Sequence, residues 1–460
     1  MGAAGMAQAR QRMLDGGVHQ RAVDVFSHYY GQLESGATGM IAEADIDPLE
    51  RVSQRSELVV GPEAQREAAG ATVIIKLNGG LGTSMGMDSA KSLLKVRPDL
   101  TFLDVIVGQV QCVRRRLGVP LPLMFMNSFR TRDDTLTALA KYPDLMVDGL
   151  PLDFLQNREP KLRAEDLSPV DWPADPSLEW CPPGHGDLYT ALEVSGVLDS
   201  LIEQGFRFAS VSNSDNLGAS PDPDMMGWFA ASGAPYAAEV CRRTAADVKG
   251  GYLVVRRTDS RLVLRETAQT SPDDWDAAQD ISRHRYFHTN SLWFDLLALR
   301  TTLEERNGVL GLPLIRNAKT VDPTDASSPE VIQIETAMGA AIEVFEGAQA
   351  IEVDRSRFVP VKTTNDLLVL RSDAYDVGAD FTVRAQVKIL PRVQLDARYF
   401  RTIAHFDARI PSTPSMVDAR SLTVVGDWTF GADVIVRGDV SLEDTGAPAS
   451  VAPSSILGPG

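Results

Sequence analysis

The stretch ATVIIKLNGGLGTSMGMDSAKS, residues 71–92, runs from an apolar segment through a glycine-rich loop to a lysine. Its first half is typical of a buried β-strand, because apolar and β-branched residues follow one another without a helical period. The glycines that come next allow the main chain to approach a ligand closely. A strand followed by such a loop is typical of α/β proteins that bind nucleotides.

The loop does not fit the phosphate-binding loop of the P-loop ATPases. That motif has a glycine directly before its lysine and another glycine five residues earlier. Ala90 and Met85 occupy these two positions, ahead of Lys91. The sequence therefore excludes a P-loop ATPase, and the lysine must serve a different kind of nucleotide site or none.

Three interpretations of the loop remain open from the local pattern. For a dinucleotide-binding loop, residues 80–82 and Gly86 give only a loosely spaced glycine fingerprint, and Asp104 lies at a predicted helix start instead of ending a second strand. A glycine turn without a ligand is the second interpretation. The third is a loop that binds a base and its phosphates through main-chain contacts, with Lys91 reaching the phosphates.

Composition and charge exclude several function classes. The chain has 460 residues, of which 44% are hydrophobic, enough for one large α/β core with smaller appendages. Its formal net charge is -17, which disfavours binding to nucleic acid or to an anionic membrane surface. A small polyanion would therefore be bound by main-chain N–H groups, a metal ion and a few placed lysines.

Cysteine and histidine usage indicates neither disulfides nor a zinc site. Cys112, Cys181 and Cys241 are widely spaced, and the six histidines form no HExxH pattern. No run of about 18 apolar residues and no secretory signal is present in the sequence. We therefore expect a cytoplasmic protein with no membrane partner.

Changes in composition and in hydrophobic periodicity along the chain predict the domains. Residues 1–60 have helical periodicity and are expected to form an N-terminal helical segment. Residues 61–380 alternate strand-like and helical stretches, which predicts βαβ units and a mostly parallel sheet with its site at the carboxyl ends of the strands. Residues 381–460 contain Gly-Asp pairs at 426–427 and 438–439, twelve residues apart, which is typical of hexapeptide β-helix coils. The tail at 445–460, rich in Pro, Ala, Ser and Gly, is predicted to be disordered.

A family resemblance extends over residues 73–370. The blocks that carry it, in order along the chain, are LNGGLGTSMG with KS, MNSFRTRDDT, FLQNREPKL, PPGHGDLY, VSNSDNLGA, ADVKGG, HTNSLWF, ETAMGAAIEVFE and RSRFVPVKTTNDLL. The chain thus resembles the eukaryotic type of UDP-glucose pyrophosphorylase. The resemblance implies a nucleotide-diphosphosugar transferase fold, Rossmann-like with a mixed, mostly parallel sheet, and a small C-terminal left-handed β-helix.

The same resemblance implies a nucleotidyltransferase that forms UDP-glucose and pyrophosphate from UTP and glucose 1-phosphate with Mg²⁺. Lys91 and Lys362 are implied to be catalytic, and Asp215 is the implied metal ligand. The implied nucleotide-binding residues are Leu77, Asn78, Gly79, Gly80, Gln156 and Gly184. The implied sugar-binding residues are His185, Asn213, Asp215, Asn290 and Glu335. A homo-oligomer formed through the C-terminal domain is a further expectation.

Two departures from the family pattern lie in the glycine loop. Residues 87–90 are Met-Asp-Ser-Ala, where the family usually has a Cys-Lys-Gly-Pro-like stretch. Ser84 follows Thr83, where the wider sugar nucleotidyltransferase superfamily commonly has arginine. Neutralising the phosphates is therefore expected to depend on Lys91, Lys362 and the metal ion.

Two alternative functions remain at this stage. A uridylyltransferase for another sugar 1-phosphate, such as galactose or an N-acetylhexosamine, is the first, although Thr83-Ser84 disfavours the N-acetylhexosamine enzymes, which commonly have Thr-Arg. A catalytically silent nucleotide-sugar-binding regulator is the second. The presence of both Lys91 and Lys362 disfavours it, because a decaying enzyme tends to lose its phosphate-binding lysines first.

Overall fold

A computed structural model describes residues 2–244, 247 and 250–459. The predicted ADVKGG block, residues 246–251, lies partly outside these ranges. The α-helices are α1 (Gly2–Asp15), α2 (Gln20–Glu34), α3 (Pro62–Gly70), α4 (Phe102–Leu117), α5 (Arg132–Leu139), α6 (Leu188–Val194), α7 (Val197–Glu203), α8 (Pro223–Ser232), α9 (Trp275–Gln279), α10 (Leu296–Glu305), α11 (Thr364–Arg371), α12 (Ala397–Phe400) and α13 (Ile403–Arg409). In the described ranges none of the helices is both long and apolar enough to cross a membrane.

The strands range from two to ten residues in length. They are β1 (Ile46–Pro48), β2 (Ser53–Gln54), β3 (Thr72–Asn78), β4 (Lys95–Arg97), β5 (Leu100–Thr101), β6 (Leu123–Asn127), β7 (Asp153–Leu155), β8 (Glu159–Pro160), β9 (Leu162–Arg163), β10 (Trp180–Cys181), β11 (Phe208–Asn213), β12 (Tyr236–Arg242), β13 (Tyr252–Arg256), β14 (Leu262–Arg265), β15 (Tyr286–Asp295), β16 (Ile315–Thr320), β17 (Glu330–Glu335), β18 (Gln349–Glu352), β19 (Tyr375–Val377), β20 (Val383–Ala385), β21 (Arg392–Leu395), β22 (Ala419–Val424), β23 (Trp428–Phe430), β24 (Ile435–Val436), β25 (Gly438–Leu442), β26 (Ala449–Val451) and β27 (Ile456–Leu457).

The centre of the molecule is a mixed sheet, which has 11 strands in the part of the chain that the structure describes. Its main path runs β2-β18-β12-β15-β11-β3-β6-β7, and β1, β13 and β14 branch from it. β3 lies between β11 and β6 and is parallel to both, whereas β15 is antiparallel to its neighbours β11 and β12. The predicted α/β fold with a mixed, largely parallel sheet is confirmed.

Helices cover both faces of this sheet. Along β3, Ile74 packs into the core that contains α4, whereas Val73 and Ile75 pack into the core that contains α6. Such alternation is expected of a strand that is buried on both sides. α4 begins with a capping box between Thr101 and Asp104, so Asp104 satisfies a helix end and does not follow a strand as a ribose ligand.

The first 60 residues contribute strands to the sheet as well as helices. α1 packs on α2, and Phe26 and Tyr30 of α2 are buried in the core. β1 pairs with β13, and β2 pairs with β18. The segment is therefore tied into the central sheet, and a domain boundary at residue 60 stays a prediction.

The C-terminal part consists of short strands stacked in parallel. β22 pairs with β21 and β25, β23 pairs with β26, and β24 pairs with β27. Repeated parallel stacking of this kind is what a β-helix requires, although its left-handedness and the boundary at residue 381 stay predictions. The disorder predicted for residues 445–460 is wrong, because β26 and β27 lie in this tail and each pairs with a strand one coil earlier.

Candidate functional site

The carboxyl ends of β3, β6 and β11 open into a cleft of about 350 Å³. The parallel register places Leu77 beside Asn213 and Asn78 beside Asn127, so the loops that follow these strands start side by side. Of the residues predicted for the site, those lining the cleft are Leu77, Gly79, Gly80, Lys91, Gln156, Gly184, His185, Asn213 and Asp215. Four blocks that are distant in sequence therefore meet at one place.

The glycine-rich loop folds back on itself after β3. Leu81 and Ala90 form an isolated antiparallel bridge, and the Lys91 N–H donates to the Gly80 carbonyl at 3.3 Å. The turn between them passes through Gly86, whose φ of +70° lies in the left-handed region that favours glycine. The return of the chain places Lys91 at the cleft beside the start of the loop.

Lys91 forms an ion pair across the cleft. Its Nζ lies 2.6 Å from Oδ2 of Asp215, which follows β11, and both side chains are largely buried. The other carboxylate oxygen of Asp215, Oδ1, is buried and has no hydrogen-bond partner among the described residues. A cation or a hydrogen-bond donor from a ligand would satisfy this oxygen.

The amide of Gln156 lies against the glycine loop. A Cβ at Gly79 would stand 2.5 Å from Gln156 Oε1, so only glycine allows this approach. The Gln156 main chain is fixed by donation from its N–H to the Asn127 carbonyl at 2.8 Å. Within the described ranges its side-chain amide makes no hydrogen bond, so both its N–H₂ and its carbonyl are available to a ligand at the cleft.

The loop with His185 is held by main-chain bonds to the segment after β17. The Gly186 N–H donates to the Thr336 carbonyl at 2.8 Å, and the Thr336 N–H donates to the Pro183 carbonyl at 3.0 Å. Gly184 has a φ of +79°, and its Cβ would stand 2.5 Å from the Thr336 carbonyl oxygen. Glycine is therefore required at this position both by the conformation and by the close approach.

His185 presents a neutral ring with a fixed tautomer. Its Nδ1 accepts a hydrogen bond from the Met338 N–H at 2.9 Å, which leaves Nε2 as the protonated nitrogen. Burial lowers the pKa of His185 to about 4, because the charged imidazolium is disfavoured away from water. At neutral pH this residue is a hydrogen-bond donor without a positive charge.

Asn78 is buried beside the cleft and does not line it. Its Nδ2 donates to Asn127 Oδ1 and to Thr135 Oγ1, both at 2.9 Å, and its Oδ1 accepts from Ser214 Oγ at 3.0 Å. With these contacts the side chain joins β3, β6, α5 and the loop after β11. The nucleotide contact predicted for Asn78 is thus not supported for its side chain.

Asn290 and Glu335 lie outside the cleft. Asn290 has a φ of +57° within β15, and its N–H and Oδ1 both lie 3.1 Å from Nδ1 of His288. Glu335 ends β17, where its Oε1 accepts from Asn317 Nδ2 at 2.8 Å, and its Cβ would lie 3.1 Å from a Cβ at Gly184. Glu335 therefore borders the site, and direct sugar contacts by both residues stay predictions.

Lys362 is exposed and lies at the rim of the cleft. The preceding Val361 N–H donates to the Asp215 carbonyl at 3.3 Å, which ties this segment to the loop after β11. The Lys362 N–H donates to Asp366 Oδ2 at 2.9 Å, and Thr363 forms the predicted cap of α11. Lys362 thus follows a segment that is bonded to the loop after β11, and it does not line the cleft.

The sequence did not single out some residues that shape the site. Leu81, Met126, Pro182 and Ser214 also line the cleft, and each neighbours a predicted position. Asp187 is buried, and burial raises its pKa to about 7 although it accepts hydrogen bonds from the Asn157 N–H and Nδ2. This contact joins the Gln156 loop to the His185 loop, and the periodicity of the sequence holds no signal for it.

The relatives of the chain identify its family. A model of the UDPGP family, described as UTP--glucose-1-phosphate uridylyltransferase, matches residues 23–437. The chain belongs to this family. The probable UTP--glucose-1-phosphate uridylyltransferase of Schizosaccharomyces pombe is 38% identical over 431 residues, which span 90% of this chain and 82% of that protein.

Solved structures of UDP-glucose pyrophosphorylases have the same fold. The crystal structure of UDP-glucose phosphorylase from Trypanosoma brucei is 40% identical, has a TM-score of 0.90, and is covered over 98% of its length by 99% of this chain. A point mutant of UDP-glucose pyrophosphorylase from Leishmania major, solved in complex with UDP-glucose, is 38% identical with a TM-score of 0.91 over 99% of this chain and 98% of that one. The predicted family membership is confirmed.

Proposed function

We propose that this chain transfers a uridylyl group between UTP and glucose 1-phosphate, forming UDP-glucose and pyrophosphate reversibly. The activity is that for which its family and its relatives are named. The observation that carries the proposal is the cleft at the ends of β3 and β11, where the glycine loop, Gln156, His185 and the Lys91–Asp215 pair meet. These elements provide main-chain, amide and charged groups on one ligand-sized surface.

The chemistry requires positioning and charge neutralisation more than a strong base. A phosphate oxygen of glucose 1-phosphate attacks the α-phosphorus of UTP in line with the leaving group, and the bond from the α-phosphorus to the β-phosphate oxygen breaks, which releases pyrophosphate. A phosphate oxygen is already nucleophilic, so no proton need be removed from it. Lys91 at the cleft and Lys362 at its rim are proposed to neutralise the charge that moves onto the phosphates.

Mg²⁺ is proposed as the cofactor, with Asp215 as its protein ligand. The unpartnered, buried Oδ1 of Asp215 fits a hard cation, which prefers oxygen ligands. Mg²⁺ commonly binds one or two carboxylates together with substrate phosphates and water, so one protein carboxylate is sufficient for the proposed site. When bound, the ion would neutralise negative charge on the phosphate oxygens.

The uracil base is proposed to be recognised by Gln156 and by the main chain of Leu77, Gly79 and Gly80. An amide can donate to one imide oxygen of uracil and accept from its N–H, whereas cytosine, with an acceptor at N3 and a donor amine, requires the amide to be turned over. Gly79 permits this because its missing Cβ makes room for the Gln156 amide. Gly184, which lines the cleft, is proposed to approach the base from the opposite loop.

The sugar phosphate is proposed to lie toward His185 and Asn213. His185 Nε2–H can donate to a phosphate or hydroxyl oxygen, and it carries no charge that would hold the phosphate too tightly. The Asn213 amide at the end of β11 can bond two neighbouring hydroxyls. Asn290 and Glu335 are proposed to complete the hydroxyl contacts from the border of the cleft.

Three coarser features complete the proposal. The parallel strands of the C-terminal part are proposed to form a left-handed β-helix. The parallel pairs β22–β25, β23–β26 and β24–β27 support this proposal. A homo-oligomer through this part is supported by the exposed apolar side chains of Ile389 and Ile456. A cytoplasmic location is the third proposed feature.

The test is a pyrophosphate-release assay with UTP and Mg²⁺. Glucose 1-phosphate, galactose 1-phosphate and N-acetylglucosamine 1-phosphate are offered separately, and we expect release to be fastest with glucose 1-phosphate. Absence of release with glucose 1-phosphate would contradict the proposed function. A higher kcat/KM for one of the other two sugars would assign the chain to that substrate.

A further inference from the structure

Lys76, the residue before Leu77 in β3, is a buried lysine that the proposed chemistry does not use. Its side chain is 1% exposed, although lysine is rarely fully buried in folded proteins. Its Nζ donates to Ser212 Oγ at 2.7 Å and to the Ala219 carbonyl at 2.8 Å. Burying this group costs free energy, which only specific polar partners offset.

The two acceptors of Lys76 stand at the two ends of one functional segment, residues 213–219, here named the 213–219 loop. Ser212 directly precedes the loop in β11, and Ala219 ends it. The loop carries Asn213 and Asp215, which both line the cleft. One side chain thus closes the base of the loop that holds the proposed sugar and metal ligands.

A second buried basic residue, Arg357, is hydrogen-bonded to the same loop and to the residue that follows it. Arg357 Nη1 donates to the Ser220 carbonyl at 3.2 Å, and the Arg357 carbonyl accepts from Asn216 Nδ2 at 3.1 Å. Arg357 is itself fixed by two bonds to Glu239, at 2.8 and 2.9 Å. The loop is therefore anchored by buried polar contacts at its base, its middle and its exit.

The surroundings of Lys76 make its amine easier to deprotonate than that of a lysine on the surface. Burial lowers the pKa of Lys76 to about 7; the nearby Arg357 lowers the pKa further and Glu239 raises it. A neutral amine has two N–H donors, and the two acceptors at the ends of the loop match that number. The hydrogen bonds of Lys76 thus remain satisfied when the amine loses its charge.

We infer that Lys76 is a positioning residue that clasps the base of the 213–219 loop and thereby holds Asp215 opposite Lys91 and Asn213 in the cleft. It does not touch substrate in this role, because its Nζ is bonded to Ser212 and Ala219 on the buried side of the loop. The kinetic part of the inference rests on the proposed function, and the structural part rests on the two hydrogen bonds alone.

The test compares Lys76→Met with Lys161→Met. Methionine keeps length and apolar bulk but removes the donors. Lys161 is a matched control, because it is also buried, at 6% exposure, and its Nζ donates to a main-chain carbonyl, that of Val321, at 2.8 Å, away from the 213–219 loop. Hydrogen exchange is followed at the amides of the loop, which requires no substrate.

In Lys76→Met we expect the loop amides of Ser214 and Asn216, and the Val361 amide that bonds to Asp215, to exchange at least about tenfold faster than in the wild type. In the wild type these amides donate to Leu77, Asn213 and Asp215 carbonyls. Lys161→Met should leave their exchange unchanged. Equal exchange in Lys76→Met and the wild type would overturn the inference, as would an equal acceleration in Lys161→Met.

The kinetic readout separates positioning from general loss of folded protein. In Lys76→Met we expect kcat to fall about tenfold or more, and the KM for glucose 1-phosphate and the half-saturating Mg²⁺ concentration to rise, while the KM for UTP changes less than about threefold. If only kcat falls, and by the same factor as the fraction of protein that is folded, the positioning role of Lys76 is contradicted. If Lys76→Met does not fold, hydrogen exchange is measured in Lys76→Gln, whose amide restores two N–H donors. The loop amides should exchange more slowly in Lys76→Gln than in a Lys76→Ala variant.

Failure of this inference is distinguishable from failure of the proposed function. A wild type that releases no pyrophosphate defeats the function, yet the exchange rates of the loop amides still test the clasp. If the wild type is active and Lys76→Met changes neither the exchange of the loop amides nor the Mg²⁺ dependence, the role inferred for Lys76 is wrong. The proposed function is unaffected by that result.

Discussion

The ammonium group of Lys91 lies 2.6 Å from Asp215 Oδ2, so the glycine loop and the loop after β11 are joined by an ion pair across the cleft. The two residues have different proposed roles, one toward phosphate and one toward Mg²⁺. While they are paired, each neutralises the other. Substrate phosphates and a cation would therefore bind together, because each partner left alone would be an uncompensated, partly buried charge.

Lys91→Ala is predicted to lower kcat by about 100-fold or more, because it removes positive charge that stabilises the phosphates in the transition state. The KM for glucose 1-phosphate should change less than about threefold. Steady-state kinetics with both substrates varied are the measurement. Lys95→Ala, an exposed lysine of the neighbouring β4, is the control and should behave as the wild type. A Lys91→Ala variant with near-normal turnover would contradict the role of this residue.

Lys362→Ala is predicted to reduce turnover by more than about threefold, a loss of at least ~0.7 kcal/mol of transition-state stabilisation. The reason is its location beside Asp215 at the rim, from which a flexible side chain can reach the phosphates. Lys388→Ala removes another exposed lysine, which does not line the cleft, and serves as the control. Turnover within threefold of the wild type would show that Lys362 is only a surface lysine.

Asp215→Asn is predicted to raise the Mg²⁺ concentration for half-maximal activity by about tenfold or more, because an amide is a weaker ligand for a hard cation than a carboxylate. Initial rates are measured across a Mg²⁺ titration at saturating substrates. Asp148→Asn changes an exposed carboxylate elsewhere and is the control. An unchanged Mg²⁺ midpoint in Asp215→Asn would remove Asp215 as the metal ligand.

Gly79→Ala is predicted to raise the KM for UTP by about tenfold, since the new methyl group would overlap the Gln156 amide and displace it from the base. The effect on stability is expected to be smaller, because the cleft is open on this side. Gly31→Ala, in α2 with no atom within 4 Å of the added Cβ, is the matched control. If Gln156→Ala and Gly79→Ala both leave the KM for UTP unchanged, the proposed base contact is wrong.

His185 gives a predicted pH dependence of stability. The folded-state pKa of His185, about 4, lies below the ordinary value of 6.5, so the unfolded chain binds a proton more readily than the folded protein. The contribution of His185 to the free energy of unfolding is therefore complete above pH 6.5 and is lost as the pH falls toward 4. Between pH 7 and pH 5 this amounts to roughly 2 kcal/mol. Urea denaturation at both pH values should show a smaller loss in His185→Gln than in the wild type.

The control for this pH dependence is His405→Gln, which changes an exposed ring in α13. It should lose as much stability as the wild type between pH 7 and pH 5. Asp187 contributes with the opposite sign, because its pKa is raised to about 7, and its stabilisation is lost as the pH rises through that value. Its presence in every variant removes it from the comparison. An identical loss in His185→Gln and the wild type would contradict the shifted pKa.

The sequence predicted which segments meet at the site better than it predicted which side chains face it. The sequence predicted a site at the carboxyl ends of the strands, the family resemblance assigned Lys91, Gln156, His185 and Asp215 to it, and the structure brings the segments that carry them together. Asn78 belongs to the same block as Leu77, yet successive residues of a strand point to opposite faces, and its side chain joins strands behind the cleft.

The tail at 445–460 was mispredicted for a different physical reason. Its composition of Pro, Ala, Ser and Gly is typical of disorder, because such a segment buries little apolar surface by itself. In the structure its strands gain order from pairing with the coil before them, as Val451 does with Phe430. Pairing between segments one coil apart has no local signal in composition. Lys76 was passed over for a similar reason, since its partners lie more than 130 positions away in sequence.

The pairing of β1 with β13 and of β2 with β18 has a consequence for the order of folding. During synthesis β1 is made about 200 residues before the strand it pairs with, which at ordinary translation rates is a delay of about 10–40 s. β2 waits still longer for β18. Throughout this interval the nascent chain holds strand segments whose hydrogen-bonding groups have no native partner, and such edges pair readily with other chains. Recovery of native protein should therefore depend on chaperones more strongly than the stability of the finished fold would suggest.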